Sequence, residues 1–197
     1  MREELPALVH VVDDDADLGA AIVRLLIRNG YQAQSFLSPE TMLDANARQE
    51  CQCVVTDVMM GEVDGFALAE ALRIQNPAVA IIFMTAWPTT ANAVDAVRRY
   101  GGLDYLEKPI DEARLLAAIA EGSAWSRRRG AALRRIEPLT AREREVLELL
   151  AAGMSNKQVA ASLNLSTRTV EDHRATVMAK TGASGVADLV ALFADAK

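Results

Sequence analysis

An α/β fold on a five-stranded parallel sheet, followed by a small all-α unit of four helices, is what the sequence predicts. Two alternating periods predict the sheet: over residues 1–120, short apolar runs of strand length are separated by longer segments with 3.6-residue spacing. Helical spacing with capping signals, and no strand-like run, predicts the second unit over residues 139–196. A third observation bears on function: carboxylates, a hydroxyl and a lysine directly follow four of the five apolar runs.

The first strand is LVHVV, residues 8–12. In ADLGAAIVRLLIRNG, Leu18, Ile22, Leu25 and Leu26 share one helical face; Asp15 or Asp17 caps the start and Gly30 can end it in a left-handed turn. YQAQSF (31–36) and CVVT (53–56) are the second and third strands. FALAEALRIQNP is a helix stopped by Pro77, and AIIFMT (80–85) is the fourth strand. NAVDAVRRYGG is a helix stopped by its glycines, and DYLE (104–107) is the fifth strand. IDEARLLAAIAEG carries Leu115, Leu116 and Ile119 on one side. Five strands alternating with five helices imply a parallel sheet covered on both faces. Such sheets bind their ligands beyond the carboxyl ends of the strands, where strand order reverses.

Composition narrows the function classes. The chain has 197 residues, 51% of them hydrophobic, enough for one large domain or two small ones. No run approaches the ~18 apolar residues that span a bilayer, so no membrane partner is expected. The opening MREELPALVHVVDDD lacks a charged, apolar, small-residue order, so no secretion signal is expected either. Cys51 and Cys53 are too close in sequence for an unstrained disulfide and read as reduced thiols of a cytoplasmic protein. The net charge of −6 is unevenly spread: −10 over residues 1–122, +5 over 123–136 (SAWSRRRGAALRRI) and −1 over 137–197. The acidic part is not expected to touch nucleic acid, whereas the rest has the local clusters to do so.

VVDDD places Asp13, Asp14 and Asp15 after the first strand; Asp57 follows the third, Thr85 ends the fourth, and Lys108-Pro109 follows the fifth. A carboxylate at the end of a buried strand is costly unless compensated. Three nearby carboxylates repel one another unless a cation intervenes, and hard oxygen ligands suit Mg²⁺. Lys108 offers a second positive charge. Asp57 can also be a nucleophile, because aspartate forms acyl phosphates. Taken singly, these residues read as a helix cap, a strand terminus and a solvated lysine. Their occurrence together at successive strand ends does not.

VVDDD, TDVMMGEVDG, MTA and DYLEKP together resemble the receiver domain of bacterial two-component response regulators, over residues 8–120. The resemblance implies a flavodoxin-like (βα)5 fold in which Asp57 accepts a phosphoryl group from a sensor histidine kinase. It implies that Asp13, Asp14, Asp57 and the backbone carbonyl of Met59 hold Mg²⁺, and that Thr85 and Lys108 bind the phosphoryl oxygens. Tyr105 would turn inward as Thr85 moves, and the Lys108–Pro109 bond would be cis. Three departures stand out. Gly61 occupies a position where the family usually has proline. Trp87-Pro88 stands where small residues are common, and Trp87 is expected to lie over the site and slow attack by water. The spacing from Thr85 to Lys108 is one residue longer than usual, with the extra residue near Tyr100-Gly101-Gly102.

In the second unit, LTAREREVLELLAAG has the capping box Thr140-x-x-Glu143, ends at Gly153 and carries an apolar stripe of Val146, Leu149 and Leu150. MSNKQVAASLNLS starts at Ser155 and ends near Asn164; STRTVEDHRATVMAKTG starts at Ser166 or Thr167 and ends before Gly182. SGVADLVALFADA closes the chain. A helix, a short turn and a second helix form a helix-turn-helix. Val159, Ala160, Leu163, Leu165, Val170 and Val177 would pack it. Asn156, Lys157, Thr167, Arg168, Thr169, Glu171, Arg174 and Lys180 are the candidates for DNA. Charge alone favours an ordinary helical bundle. LTAREREVL, NKQVA, LNLSTRTVEDHR and MAKTGA, however, resemble the LuxR-type DNA-binding domain over its whole length. This implies a recognition helix from Thr167 to Lys180 and dimerisation through the last helix. His173 reads as structural, and His10, on the first strand, has no surroundings of a base or a ligand.

The domains expected are 1–122 (receiver), 123–137 (an Arg-rich linker) and 138–197 (DNA-binding). The linker could be a loose hinge, a continuation of the fifth helix or a phosphate-binding strip; Gly122 and Gly130 favour the hinge. The whole chain resembles a NarL/FixJ-type response regulator. The resemblance implies a transcription regulator, not an enzyme, that dimerises on phosphorylation and binds double-stranded promoter DNA, with RNA polymerase as a further partner. A haloacid-dehalogenase-type phosphatase also uses a strand-end Asp with Mg²⁺, but needs a second Asp where Met59 stands. An unphosphorylated dimer scaffold is the other rival, against which the intact acidic pocket argues.

Overall fold

The computed structural model of the chain describes residues 6–60 and 64–197. The chain divides into two compact units, Met1–Arg127 and Arg128–Lys197. In the first, β1 (Leu8–Val12), β2 (Gln32–Phe36), β3 (Cys53–Asp57), β4 (Ala80–Thr85) and β5 (Asp104–Glu107) form one parallel sheet in the order β2-β1-β3-β4-β5. Strand order therefore reverses at β1, whose neighbours are β2 and β3, and the crevice lies beyond the ends of β1 and β3. In register, Val12 lies beside Thr56, and Asp57 beside Met84.

The sheet separates two cores. Val9, Val11, Val55, Ile82 and Met84 face Ile22, Leu25 and Leu26 of α1 (Ala16–Arg28) and Leu115, Ala118 and Ile119 of α5 (Glu112–Ile136). Val12, Val54, Ile81 and Phe83 face the other way. They pack against Met42 of α2 (Pro39–Arg48), Leu68, Ala69 and Leu72 of α3 (Gly65–Gln75), and Ala96 of α4 (Thr90–Arg98). The central strands β3 and β4 are buried throughout, whereas edge strand β2 is largely exposed and its apolar signal correspondingly thin. Asp15, not Asp17, caps α1, and Gly30 just past its end has φ +85°.

The stretch expected as a solvated Arg-rich hinge is instead helical: α5 runs unbroken from Glu112 to Ile136. Glycine inside a helix costs about 1 kcal/mol relative to alanine. At Gly122 that cost is offset by close approach, since a Cβ there would stand 3.1 Å from the Ala80 Cβ. Near the far end of the helix, Ala132 and Ile136 join the core of the second unit. The boundary between units falls within this helix, after Arg127.

The second unit consists of the last turns of α5 with α6 (Ala141–Ala151), α7 (Asn156–Leu163), α8 (Thr167–Thr181) and α9 (Val186–Ala196). Its core is Val146, Leu147, Leu150, Val159, Val170, Val177, Leu189 and Leu192. Leu147 rather than Leu149 completes the buried stripe of α6. Thr140 and Glu143 form the capping box of α6; Ser155 and Gln158 form that of α7. Asn164, with φ +52°, ends α7 in a left-handed cap, and Ser166 caps α8. No single helix among the described residues is long and apolar enough to cross a membrane.

Candidate functional site

Side chains at the ends of β1, β3 and β5 meet in one pocket, and that of Thr85 stands at the end of β4 on the same rim. Asp13 follows β1 and is 1% exposed; Asp57 ends β3 and is 7% exposed; Thr85 ends β4 and is 1% exposed. The Lys108 backbone N–H donates to the Thr85 carbonyl at 2.8 Å, fixing the end of β5 against the end of β4. The Lys108–Pro109 bond is cis. From there the Lys108 ammonium donates to Asp13 Oδ2 at 2.7 Å and to Asp57 Oδ2 at 2.5 Å. Burial works to lower the pKa of Lys108, but hydrogen bonds to Asp13 and Asp57 and their charges outweigh it and hold the ammonium above the usual lysine value.

The remaining oxygens are also positioned. Asp57 Oδ1 accepts from the Met59 N–H at 3.0 Å, and Asp13 Oδ1 accepts from the Asp15 N–H at 2.9 Å. Ligand oxygens of Asp13, Asp14 and Asp57 lie within 4.8 Å of one another. An octahedral Mg²⁺ with bonds of about 2.1 Å spaces its oxygens about 3 to 4 Å apart, so this donor set fits a small hard dication. One ammonium against three carboxylates also leaves negative charge to be met by such an ion. Thr85 Oγ1 accepts from the Trp87 N–H at 3.1 Å, which leaves its own proton for an incoming oxygen. The Trp87 side chain, expected to lie over the site, is 77% exposed and so is not packed down against its neighbours; Pro88 and Thr89 beside it are exposed too. Gly61 lies outside the described residues. Tyr105 lies beside Phe83 in the sheet and packs against the core that also holds Ala96, and its hydroxyl is buried without a hydrogen-bond partner among the described residues.

Gly65, the first residue of α3, is a further residue that the site depends on; its signal in the sequence is a glycine eight residues past a strand-end carboxylate. A Cβ there would collide with the Asp57 carbonyl oxygen. Gly65→Ala is therefore expected to push α3 off β3, to destabilise the first unit by about 2 kcal/mol in urea unfolding, and to displace Asp57.

In the second unit the front of α8 is open: Thr167, Arg168 and Glu171 are exposed, while Thr169 is half-buried with its hydroxyl 2.8 Å from Ser166 Oγ. Lys157 is exposed at the start of α7; Asn156 and Arg174 are half-buried. The Arg142 guanidinium donates to the Leu163 carbonyl at 2.6 Å and so ties α6 to the turn of the helix-turn-helix. Lys180 is placed differently. Its ammonium donates to both carboxylate oxygens of buried Glu143, at 2.7 and 2.9 Å, which ties the end of α8 to the start of α6. That hydrogen bond, with the one from the Thr140 N–H, holds the Glu143 carboxyl below its usual range.

Comparisons with known proteins agree with this geometry. The profile described as response regulator receiver domain matches residues 9–120, and that of the bacterial regulatory proteins of the luxR family matches residues 137–193. The chain is 38% identical to the transcriptional regulatory protein FixJ of Azorhizobium caulinodans, over 96% of this chain and 92% of that one. It is 33% identical to the tetrathionate response regulatory protein TtrR of Salmonella typhimurium, over 95% and 92%. Among solved structures, full-length FixJ from B. japonicum aligns over 98% of both chains with a TM-score of 0.55 and 34% identity.

Proposed function

Because the chain belongs to the NarL/FixJ-type two-component response regulators, a non-enzymatic family of transcriptional regulators with a receiver and a LuxR-type DNA-binding domain, we propose that Asp57 is its phosphoacceptor and that phosphorylation promotes dimerisation and sequence-specific DNA binding. The observation that carries the proposal is the Asp57 carboxylate held 2.5 Å from the Lys108 ammonium inside a pocket of converging aspartates. Family membership implies a kinase partner and DNA.

Asp57 Oδ attacks the phosphorus of a phosphohistidine; the P–N bond breaks and the imidazole departs with its electron pair, to be protonated. Lys108 and the Thr85 hydroxyl take the phosphoryl oxygens. Asp13, Asp14, Asp57 and the Met59 carbonyl would hold Mg²⁺, which offsets the charge that gathers on the transferring group. A protein donor also needs a surface beside the pocket. Leu18, Ile22, Leu25 and Ile27 of α1, with Ile110 and Leu115, line a groove that opens at Lys108, and Ile27 is 56% exposed.

As the phosphoryl oxygens claim its proton, the Thr85 hydroxyl exchanges its place beside the Trp87 N–H for them. The buried, unpartnered hydroxyl of Tyr105 gives that ring little to lose by changing place in step. Paired chains would then present two recognition helices to a two-fold site, with RNA polymerase as the downstream partner. Asn156, Lys157, Thr167, Arg168, Thr169, Glu171 and Arg174 remain the DNA set; Lys180 is withdrawn from it, because Glu143 already holds it.

Sizing the protein before and after phosphorylation, together with a salt titration of duplex DNA binding, tests the proposal. A monomer that dimerises, with affinity falling steeply in salt, is expected; an unchanged monomer that ignores DNA would overturn it. Arg168→Ala and Lys157→Ala should each lower the magnitude of the salt slope by about 1. Lys180→Ala should leave the slope unchanged and lower the stability of the second unit.

A further inference from the structure

The turn from Tyr100 to Gly102, where the extra residue between Thr85 and Lys108 is expected, is held from outside. Tyr100 to Leu103 connect α4 to β5, with Gly101 at φ +63°. From α3, the Arg73 Nε donates to the Tyr100 carbonyl at 3.0 Å and its Nη2 to the Gly101 carbonyl at 2.5 Å. One rigid fork thus satisfies two consecutive carbonyls. The Tyr100 ring stacks on Phe66 of the same helix, with centroids 4.5 Å apart and planes 16° apart, and the Arg99 guanidinium lies over the Tyr100 ring at 5.5 Å. Phe66 in turn packs on Phe83 of β4 at 5.0 Å. The turn also feeds the sheet: the Gly102 N–H donates to the Ala96 carbonyl at 2.7 Å and the Leu103 N–H to the Ile81 carbonyl at 2.8 Å. At Gly102 there is no room for a side chain, since a Cβ would press into the Phe83 ring.

Among the described residues, no comparable fork or stack holds the other end of α4. Residues Ala86 to Ala91 are all exposed, and Ala96, near the anchored end, is the one buried residue of the helix. The Thr89 cap of the Asn92 N–H is local to the first turn. The two ends of α4 are therefore unequal: one is tied to α3 by a guanidinium and an aromatic stack, and the other continues directly from the loop after Thr85.

We infer that Arg73, with the Phe66–Tyr100 stack, forms a fixed anchor about which α4 pivots, confining the rearrangement that follows phosphorylation to the Ala86–Thr89 loop and the first turns of the helix. The inference rests on the receiver reading above and adds to it a positioning residue that touches neither the phosphoacceptor nor the switch side chains. Arg73 acts only through the carbonyls of Tyr100 and Gly101.

Peptide-resolved amide hydrogen exchange on the full chain tests it, with intact mass recording phosphoryl uptake from a small acyl phosphate in the same samples. In unphosphorylated protein, Arg73→Ala and the conservative Arg73→Lys, which keeps the charge and loses the fork, should each speed exchange at Tyr100, Gly102 and Leu103 by about tenfold or more, with β1 and β3 unaffected. The lysine variant decides this arm should the alanine variant fail to fold. In phosphorylated wild type, exchange should change over Trp87 to Ala93 and stay constant at those three amides. Variants that leave the turn as protected as in wild type would overturn the anchor. Phosphoryl uptake accompanied by equal changes at both ends of α4 would overturn the pivot and leave the receiver reading standing. Absence of uptake would overturn both.

Discussion

Asp57→Asn is expected to gain no phosphoryl group under conditions in which the wild-type chain gains one in the presence of Mg²⁺, as read by intact mass. The substitution keeps the shape of the side chain. The Met59 N–H can still be accepted at an amide oxygen, and the Asp13–Lys108 ion pair remains, so the fold should persist. What is lost is the anionic oxygen that attacks phosphorus, and no neighbour replaces it in that position: Asp13 is fixed by Lys108 and the Asp15 N–H, and Asp14 is exposed. Retention of the mass gain in Asp57→Asn would move the phosphoacceptor elsewhere and sink the assignment. Lys108→Ala is the companion case. It strips the partner from two buried carboxylates, a change that typically costs about 3–5 kcal/mol. Added Mg²⁺ should therefore restore more stability to Lys108→Ala than it adds to wild type, if the same carboxylates bind it.

The pocket was legible in the sequence because each member ends a strand-length apolar run or directly follows one. In a parallel sheet every strand ends on the same rim, so strand assignment alone brings Asp13, Asp57, Thr85 and Lys108 together. Strands with a strong period were placed to within a residue: β4 and β5 match and β3 extends by one residue to Asp57; of the alternatives left open at two helix starts, Asp15 caps α1 and Ser166 caps α8, while Ser155 and Gly182 bound α7 and α8 as expected. The second helix, α2, was not marked out among the five, because few of its residues are buried. Ser38 followed by Pro39 was the signal available, and the structure uses both as the N-cap and first turn.

Contacts distant in sequence were not legible. Glu143 was visible as half of a capping box, but its hold on Lys180, 37 residues away, depends on how α6 and α8 pack. The same limit hid the grip of Arg73 on Tyr100 and Gly101. Gly122 misled for a related reason. Its helix penalty is a local quantity, and the Ala80 side chain that makes a glycine useful there lies on another strand. Sequence periodicity reports which face is buried, not what meets it.

Acidification from pH 7 to pH 4 should remove about 3 kcal/mol of stability from the first unit through a single buried histidine. His10 sits in β1, 2% exposed, with its ring edge-on to Phe36 at 4.9 Å and its Nδ1 buried without a partner. Burial pushes its pKa down from 6.5 to about 4. The unfolded chain therefore binds the proton first, and the folded chain resists it until about pH 4. Stability from this group is complete above pH 6.5 and is lost as pH falls through the window between the two values, because the unfolded state carries more protons there. Both tryptophans, Trp87 and Trp125, belong to the first unit, so urea unfolding followed by their fluorescence reads this unit alone. His10→Leu should match or exceed wild type at pH 7, since it removes a buried nitrogen that has no partner, and its advantage should grow by about 3 kcal/mol by pH 4. Depressed carboxylates, Glu40 in this unit and Glu143 and Asp188 in the other, add their own acid sensitivity, but equally in both proteins. Parallel stability curves for wild type and His10→Leu would mean that β1 accommodates the imidazolium without opening, and would remove His10 as the source of the pH dependence.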